Sequence, residues 1–381
     1  MEYKLKELFD LQMGKTPSRN NSDYWNTKDN KWISIADLSK CEKYITDTKE
    51  YISDIAIKES GINPIPANTV VMSFKLSIGK TAITKEVIYS NEAIMSFRDK
   101  KTIELLPDYT YYLMMSKRWD EGTNKAVMGK TLNKATLSEI KVSVHDIAEQ
   151  QRIVNVLDKL TDLIDNRKEQ LSKLDKLVKA RFVEMFGDYD LTAQKKEWKA
   201  VREVGTVVGG STPKTSVAGY WNGEYRWLSP AELEQDSGVI FDSVKKITKA
   251  GIESCSLQEL PVGTVILSSR APIGKLAIAG NTFYCNQGFK NIVCSERIVP
   301  RYLYSLLLFN TEYLNSLGRG ATFKEISKSI VENIKIPIPP IDLQNEFAAF
   351  VKQVDKSKFE IKQSLEKLEL LKKALMQKYF G

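Results

Sequence analysis

The sequence predicts an α+β fold in an internally duplicated chain, with two mixed α/β domains separated by two long antiparallel coiled-coil helices. Three observations lead to this prediction. The segment "SIGKTAI" (77–83) returns 195 residues later as "PIGKLAI" (272–278). Each copy contains short apolar runs bounded by Gly and Pro, which are typical of strands. Each copy then ends in a long stretch without internal Gly or Pro, whose apolar residues recur at steps of three and four.

The repeat extends over most of the chain, with offsets of about 191 to 196 residues. "GKTP" (14–17) returns as "GSTP" (210–213), Tyr24-Trp25 as Tyr220-Trp221, and Asn91 as Asn286. Near the ends of the two copies, "GKTL" (129–132) matches "GATF" (320–323), and "IKV" (140–142) matches "IKI" (334–336). Because the period is a whole domain, the pattern indicates one duplicated unit and not a solenoid.

Strands and short helices are predicted from local patterns in each copy. The runs "NTVVMSF" (68–74) and "GTVILSS" (263–269) are preceded by Pro and followed by a turn, so we expect strands there. The segments "YTYYLMMSKRWDEG" (109–122) and "PRYLYSLLLFNTEYLNS" (300–316) have the spacing and length of helices.

The two long helices are predicted from heptad seams, which run from Ile153 to Met185 and from Phe347 to Tyr379. Gly187 and Gly381 end them at equivalent places. Roughly 35 residues correspond to a rod of about 50 Å. We expect the two seams to pair antiparallel; the alternative is that each helix packs on its own domain. The predicted boundaries are 1–147 and 188–341 for the domains, and 148–187 and 342–381 for the helices.

Composition excludes several classes of protein. The chain has 381 residues, with 56 Lys plus Arg against 48 Asp plus Glu, and this net charge of +8 suits a polyanionic partner. Its four cysteines lie far apart and its only histidine is His145, so no zinc site, other metal site or disulfide framework is expected. No run of about 18 apolar residues and no leader-like start occurs, so we expect a soluble cytoplasmic protein without a membrane segment.

Catalytic motifs are also missing. Gly79-Lys80-Thr81 resembles the end of a phosphate-binding loop, but the position five residues before Gly79 is Phe74, and the triplets at Gly14 and Gly129 fail the same test. Leu276 replaces Thr81 in the second copy, so the repeat does not preserve a metal-binding hydroxyl. The chain also lacks a dinucleotide-binding G-x-G-x-x-G and the [DNS]-P-P-[YFW] loop of an amino-methyltransferase. These absences favour a non-catalytic binding protein without a cofactor.

The whole chain resembles the specificity subunit of type I restriction-modification enzymes. The resemblance rests on the paired "GKTP" and "GSTP" turns, the following Tyr-Trp pairs, the "IGK" segments and, above all, the helix from Glu149 to Asp188. It implies two target-recognition domains that each bind half of a bipartite double-stranded DNA sequence, with paired helices setting the separation. It also implies assembly with two adenine methyltransferase subunits, which bind S-adenosylmethionine, and with restriction and translocase subunits.

Candidate DNA-binding residues are the Lys, Arg and Gln side chains on or beside the repeated glycine turns, where the backbone is able to approach DNA closely. Equivalent positions that differ, such as Lys75 and Arg270 or Glu92 and Gln287, predict two dissimilar half-sites. Trp25, Trp32, Trp221 and Trp227 are either core residues or platforms for a flipped base. The candidate DNA-binding residues are Lys15, Lys75, Lys80, Lys130, Lys214, Arg270, Lys275, Gln287, Arg319 and Lys324.

Candidate partner-binding residues lie at the starts of the two long helices: Gln150, Gln151, Arg152 and Gln344. The second copy has Asn345-Glu346 where the first has Gln151-Arg152, so the two starts are not identical. Two alternatives remain open at this stage. One is a specificity module of a related methylation or anti-phage system, and the other is a coiled-coil scaffold that does not bind DNA.

Overall fold

The computed structural model describes residues 1–75, 77–117, 119, 133–270, 272–320 and 324–381. These residues form two compact units: unit 1 comprises Met1–Lys168 and Gln363–Gly381, and unit 2 comprises Glu169–Lys362. Each unit therefore consists of one globular domain together with a part of each long helix. Among the described residues, no helix is both long and apolar enough to cross a lipid bilayer.

Among its described residues, the first globular domain contains ten short strands and five short α-helices. The strands are β1 (Glu2–Lys4), β2 (Phe9–Met13), β3 (Asn30–Ile33), β4 (Tyr44–Ile45), β5 (Glu50–Ile52), β6 (Val70–Ser73), β7 (Thr81–Thr84), β8 (Tyr89–Ser90), β9 (Ile94–Asp99) and β10 (Lys141–Ser143). The helices are α1 (Leu5–Leu8), α2 (Ile35–Leu38), α3 (Asp54–Ser60), α4 (Pro107–Ser116) and α5 (Lys134–Ser138), and the long helix α6 (Ile147–Phe186) follows.

These strands form three sheets. The largest has the order β2-β9-β6-β7-β4, in which only the β4–β7 pair is parallel. A three-stranded sheet has the order β5-β3-β8, and β1 pairs with β10. The predicted strand in residues 68–74 is confirmed as β6, and all four of its residues are buried because it lies in the middle of the largest sheet.

The core of unit 1 lies on both faces of the largest sheet. Val70 and Met72 of β6 face a cluster that includes Tyr109 of α4 and Leu157 of α6. Val71 faces the opposite way, into a second cluster shared with the three-stranded sheet. This alternation is what the two-residue period of a strand dictates.

The second globular domain has the same elements in nearly the same order. Its strands are β11 (Lys199–Ala200), β12 (Gly205–Gly209), β13 (Trp221–Leu228), β14 (Asp236–Ile240), β15 (Lys245–Ile247), β16 (Val265–Leu267), β17 (Leu276–Ala279), β18 (Tyr284–Cys285), β19 (Lys290–Cys294) and β20 (Lys335–Ile336). Its helices are α7 (Val201–Val204), α8 (Lys249–Ser254), α9 (Pro300–Phe309), α10 (Thr311–Ser316) and α11 (Lys328–Asn333), and the long helix α12 (Ile341–Phe380) follows.

Sheet topology confirms the duplication. The second domain has the orders β12-β19-β16-β17-β14, β15-β13-β18 and β11-β20, so each strand pairs as its counterpart ten strands earlier does. The strand predicted in residues 263–269 is confirmed as β16. The helix predicted over residues 300–316 is divided at Asn310 into α9 and α10; Asn310 departs from helical backbone geometry, with φ −112° and ψ 29°.

The long helices pair antiparallel within each unit. In unit 1, the Arg152 guanidinium lies 5.7 Å from the Tyr379 ring, and Lys168 Nζ lies 3.8 Å from Glu369. In unit 2, Asp175 pairs with Lys358, and Arg181 lies 2.9 Å from Glu346. Residue numbers rise along one helix as they fall along the other, which confirms the predicted orientation.

The helix seams also contact the globular domains, so the two packing arrangements considered from the sequence occur together. Ile153 and Leu157 are fully buried in the main core of unit 1, and Phe182 and Phe347 contact each other within the main core of unit 2. Each long helix has 40 residues, which is longer than the seam alone predicted. Gly187, with φ of 86°, ends α6 in the left-handed conformation that favours glycine.

Candidate nucleic-acid interface

In both domains, the turn that contains Thr-Pro packs against a second turn. The amide of Lys15 donates to Ser90 O at 2.8 Å, and in the second domain Ser211 N donates to Cys285 O at 2.9 Å. A Cβ on Gly14 would lie 2.1 Å from Ser90 O, and one on Gly210 would lie 2.0 Å from Asn286 O. Only glycine allows this approach, which explains why both copies keep it.

An asparagine fixes the second turn in each domain. Asn91 Oδ1 accepts a hydrogen bond from Ala93 N at 3.1 Å, and Asn286 Oδ1 accepts one from Gly288 N at 2.8 Å. This side chain folds the backbone over one intervening residue, as in an Asx-turn. The intervening residue is exposed in both domains, and its identity differs: it is Glu92 in the first and Gln287 in the second.

Threonine from the neighbouring turn holds this exposed residue. Thr16 Oγ1 donates to Glu92 Oε2, and Thr212 Oγ1 donates to Gln287 Oε1. The hydrogen bond from Thr16, together with the nearby charge of Lys75, lowers the pKa of Glu92 against a smaller opposing effect of burial. The Glu92 side chain is therefore a carboxylate at neutral pH. We call residues 14–17 with 90–93, and residues 210–213 with 285–288, the turn pairs.

Cations surround the first turn pair. Arg19 also contributes to the low pKa of Glu92. The Arg19 guanidinium lies 3.8 Å from the Trp25 ring centre and pairs with Glu50, so its orientation is restricted. Lys75, two residues after β6, is partly exposed. We call the exposed residue, Glu92 in the first domain and Gln287 in the second, the apex residue of its turn pair. The first turn pair therefore combines a negative apex residue with two positive neighbours, Lys75 and Arg19.

The second turn pair has a different set of charges. The Arg270 side chain lies beside Gly288, because a Cβ on that glycine would be 3.3 Å from Arg270 Nε. Lys290 donates to Gln287 O at 3.3 Å and pairs with Glu325 at 3.1 Å. The apex residue is neutral here, so the cations are not offset at the apex itself.

Residues on either side of Gly320 in the second domain lie in the same region. Glu325 and Arg319 exchange two backbone hydrogen bonds, each 3.0 Å long, and Glu325 also forms an isolated β-bridge with Arg270. Arg319 and Lys324 are exposed. Lys130, the corresponding candidate of the first domain, lies outside the described residues. Arg270, Gln287 and Arg319 are thus brought together by the fold.

The repeated "IGK" segments are turns between two strands. Gly79 and Gly274 have φ of 92° and 91°, a conformation that favours glycine. Thr81 begins strand β7 and Leu276 begins strand β17. A phosphate-binding loop instead leads into a helix, so the geometry agrees with the rejection of that motif.

The lysines of these segments fasten a neighbouring loop. Lys80 Nζ donates to Ser39 Oγ at 2.6 Å, and Lys275 Nζ donates to Pro230 O at 3.1 Å. An ammonium group has three donors, so each lysine keeps donors for a further acceptor. Lys15 and Lys214 are exposed on the Thr-Pro turns, and Lys15 Nζ also donates to Ser60 O.

Two of the four partner-binding candidates are structural residues. Gln150 and Gln344 are 1% and 0% exposed, so neither offers a surface for a partner. Gln150 accepts from Leu106 N at 3.0 Å and donates to Glu104 O and His145 O, both at 2.9 Å. The sequence-based assignment of these glutamines to a docking surface is therefore wrong.

Gln344 repeats this network in unit 2. It accepts from Val299 N at 2.8 Å and donates to Pro339 O at 2.8 Å and to Arg297 O at 3.3 Å. Each glutamine thereby ties a long helix to the start of α4 or α9. Gln151 and Arg152 are exposed: Gln151 donates to Asn155, and Arg152 pairs with Glu149.

The repeated tryptophans belong mainly to the core. Trp32 and Trp227 are 1% and 3% exposed, and their indole N–H groups donate to Lys15 O and Ser211 O at 3.1 Å. Trp25 and Trp221 pack edge-on against them, with ring centres 5.0 Å apart in both domains. The tryptophans thus support the Thr-Pro turns from behind.

Sequence reasoning missed the two threonines and Arg19 as parts of this region. Thr16 and Thr212 stand at the same place in "GKTP" and "GSTP", so their repetition was the available signal. Arg19 had no signal, because the second copy has Thr215 at the corresponding distance from the turn. In the part of the chain that the structure describes, no group of three or more His, Cys, Asp or Glu could hold a metal ion.

Comparison with known proteins identifies relatives over nearly the whole chain. The family model of the type I restriction modification DNA specificity domain matches twice, over residues 1–176 and 195–372. The MjaIX type I restriction enzyme specificity subunit of Methanocaldococcus jannaschii is 35% identical over 209 residues, which cover 54% of this chain and 48% of that protein. The matched part therefore spans about half of that relative.

In a second relative and in two solved structures, the match covers a larger share of the other protein. The EcoR124I/EcoR124II specificity subunit of Escherichia coli is 23% identical over 278 residues, 69% of this chain and 66% of that protein. A chain in a structure of the type I R-M system is 17% identical with a TM-score of 0.63, covering 99% of this chain and 96% of that one. The S subunit from M. genitalium is 14% identical with a TM-score of 0.57, covering 100% and 96%. These structures have the same fold.

Proposed function

The chain belongs to the type I restriction-modification DNA specificity domain family, and from this premise we propose that it is the non-catalytic DNA-recognition subunit of a type I restriction-modification enzyme. Its two globular domains each bind one half of a bipartite, asymmetric target in double-stranded DNA. Methylation and cleavage are carried out by other subunits, and S-adenosylmethionine is a ligand of the methyltransferase.

One observation carries the proposal of two dissimilar half-sites. The two domains have the same strand order and the same turn pair, but the residues at the apex and the partly exposed cations beside them differ, with Glu92 and Lys75 in one domain and Gln287 and Arg270 in the other. Sequence is distinguished at base edges by side chains of these types. A repeated backbone with different exposed side chains suits one recognition task performed on two different sequences.

The remaining candidate cations suit contacts to phosphate. We assign this role to Lys15, Lys80, Lys130, Lys214, Lys275, Arg319 and Lys324, because phosphate contacts need charge and position but no base specificity. Replacing Lys214 by Ala is expected to weaken binding equally for all sequences and to reduce the salt slope of binding by about 1. Lys249→Ala, an exposed lysine of α8 that forms an ion pair with Glu253, is the matched control.

The long helices would set the number of unspecified base pairs between the half-sites. Forty residues of helix measure about 60 Å, which equals about 18 base pairs at about 3.4 Å each. This length is an upper limit for the distance between half-site centres. Inserting seven residues into both helices keeps the heptad register, so we expect a longer spacer with unchanged half-sites. An unchanged spacer would contradict this role.

The exposed sides of the helices would dock two adenine methyltransferase subunits, and restriction and translocase subunits would join that assembly. Leu163 and Leu371 in unit 1 are each 49% exposed, and Leu177 and Phe359 in unit 2 are 47% and 61% exposed. Large apolar side chains that stay exposed on a helix are candidates for a protein interface. Gln151 and Arg152 stay candidates at the start of α6.

The test is long-read sequencing of methylated adenines in the host genome, with and without this gene. Loss of one asymmetric, two-part motif is the expected result, and it would identify the target sequence as well. An unchanged methylome in cells with an active partner methyltransferase would favour a scaffold that does not bind DNA. Loss of the motif without any restriction of unmodified DNA would favour a related methylation system without a translocase.

A further inference from the structure

The apex residue of each turn pair differs in hydrogen-bonding capacity although its support is the same. Thr16 and Thr212 each donate to one side-chain oxygen of the apex residue. Among the described residues, no other hydrogen bond or ion pair reaches Glu92 Oε1 or Gln287 Nε2. The first domain thus presents a free acceptor, and the second presents a free donor beside an oxygen that has a second lone pair.

The support also fixes where the apex residue lies. At Gly14 and Gly210 the two turns of the pair pack so closely that a Cβ would not fit. The side chains of Asn91 and Asn286 form hydrogen bonds across the turn that carries the apex residue. The backbone amides of Asn91 and Asn286 donate to Ile33 O at 3.1 Å and Leu228 O at 3.0 Å, which ties both turns to the three-stranded sheets. A residue on a fixed turn with a fixed rotamer keeps its free group in one direction, as selective hydrogen bonding requires.

Charge distinguishes a base contact from a phosphate contact at this place. Glu92 is a carboxylate, and a carboxylate is repelled by phosphate but accepts hydrogen bonds from the exocyclic amine of a base. Lys75 and Arg19 lie near enough to influence its charge, and they would offset its repulsion of the DNA backbone. A purely structural glutamate would not need to be exposed near two cations.

We propose that Glu92 accepts a hydrogen bond from the N4 amine of a cytosine in one half-site, and that Gln287 forms a bidentate contact with an adenine in the other. This inference rests on the proposed function, and it assigns the base contacts that the function requires. Glutamate pairs with the cytosine amine and glutamine with adenine N6 and N7 in the major groove. The two domains would therefore differ in base preference through a single atom exchange, oxygen against nitrogen, at one position.

The experiment is to express the chain with its methyltransferase and to sequence the methylated adenine motif for wild type, Glu92→Gln and Gln287→Glu. Glu92→Gln is expected to exchange cytosine for adenine at one position of one half-site, and Gln287→Glu is expected to make the reverse exchange in the other. In Gln287→Glu, preference for adenine should fall by roughly 5- to 150-fold, the range of one good bidentate pair; in Glu92→Gln, preference for cytosine should be lost. Glu86→Gln and Gln258→Glu make the same chemical changes at exposed sites outside the turn pairs, and they should leave the motif unchanged.

The outcomes separate this inference from the proposed function. A wild-type chain that specifies no two-part motif would overturn the proposed function itself. A normal wild-type motif that neither apex variant alters would overturn only the base contacts. If Glu92→Gln abolishes methylation, a binding assay tests the contact instead. The assembled complex is bound to DNA that carries each of the four bases in turn at every position of the first half-site. A changed base preference supports the contact, whereas equal loss for all bases in a folded protein refutes it.

Discussion

Replacing Gln344 by Met tests whether the buried amide holds α12 to the second domain. Gln344 is fully buried and makes three hydrogen bonds, to Val299 N, Pro339 O and Arg297 O. Methionine has nearly the same volume and no hydrogen-bonding amide, so the substitution removes the bonds without opening a large cavity.

The magnitude follows from the groups left without a partner. The bonds to Val299 N and Pro339 O are both 2.8 Å long, whereas the bond to Arg297 O is 3.3 Å and therefore weaker. A buried group that loses its partner costs about 1–3 kcal/mol. Two such groups predict a loss of about 2–6 kcal/mol in the free energy of unfolding of unit 2. At about 2–4 °C per kcal/mol for a unit of this size, Tm should fall by about 4–24 °C.

Scanning calorimetry of the full chain measures this loss, and two variants control it. Asn345→Ala changes an exposed residue next to Gln344 on the same helix, and it should shift Tm only slightly. Gln150→Met removes the equivalent network from unit 1 and should destabilise that unit by a similar amount. A Gln344→Met protein that melts within a degree or two of Asn345→Ala would refute the structural role.

Three further predictions concern stability and titration. Gly274→Ala should lower the free energy of unfolding by about 1–3 kcal/mol in denaturant unfolding, because Gly274 has φ of 91° and a Cβ there would lie 2.8 Å from Thr311 Cγ2. The control Gly219→Ala should be nearly neutral, because a Cβ on Gly219 would meet no atom within 4 Å. Hydrogen bonds from Lys4 and Lys6 lower the pKa of Glu139 to about 2. The stabilisation by this carboxylate is therefore complete above the pKa of the unfolded chain, near 4.5, and is lost as pH falls through 2. A carboxyl NMR titration of Glu139 with a midpoint above 4 would contradict the pairing. Lys43 Nζ lies 2.6 Å from the carboxylates of both Asp108 and Asp158, so Lys43→Met leaves them without their shared cation. It should lower the free energy of unfolding by about 1–3 kcal/mol. The control Lys141→Met, which removes the exposed pair with Glu2, should cost less than about 0.5 kcal/mol.

Periodicity predicted the elements whose side chains are sorted by polarity. The seam residues Ile153, Leu157 and Leu160 are 0%, 0% and 5% exposed, as a heptad requires. The strand β6 was predicted correctly because its apolar run is short and bounded by turn residues. In both cases burial follows from hydrophobicity, which is written in the sequence.

Buried polar residues were not predicted for the same reason. Gln150 and Gln344 looked like surface residues because glutamine is usually exposed. Continuing the heptads backwards by three residues from Ile153 and Phe347 places both glutamines on the seam, and this was the signal that their burial had. Two of the three hydrogen-bond partners of each glutamine are backbone groups from segments about 45 residues away, and no local pattern specifies such contacts.

The candidate site was predicted in part, because a repeat shows which positions matter but not which atoms meet. The sequence identified Lys75, Arg270 and Gln287 from differences between the copies. It did not show that Thr16 bonds to Glu92, because these residues are 76 positions apart and belong to different turns. That contact depends on the close approach at Gly14, a feature of the folded backbone.

Positions in the turn pair differ in how far a substitution would disturb the backbone. Any side chain at Gly14 would place a Cβ 2.1 Å from Ser90 O, so a change there would displace the turn. A change at Asn91 would remove the hydrogen bond that shapes the backbone around the apex. Glu92 is exposed, and its substitution alters one side-chain bond to Thr16 while the backbone hydrogen bonds stay in place. The fold therefore separates the residues that position the proposed base contact from the residue that would make it, so a new base preference would require one substitution and no rearrangement of the domain.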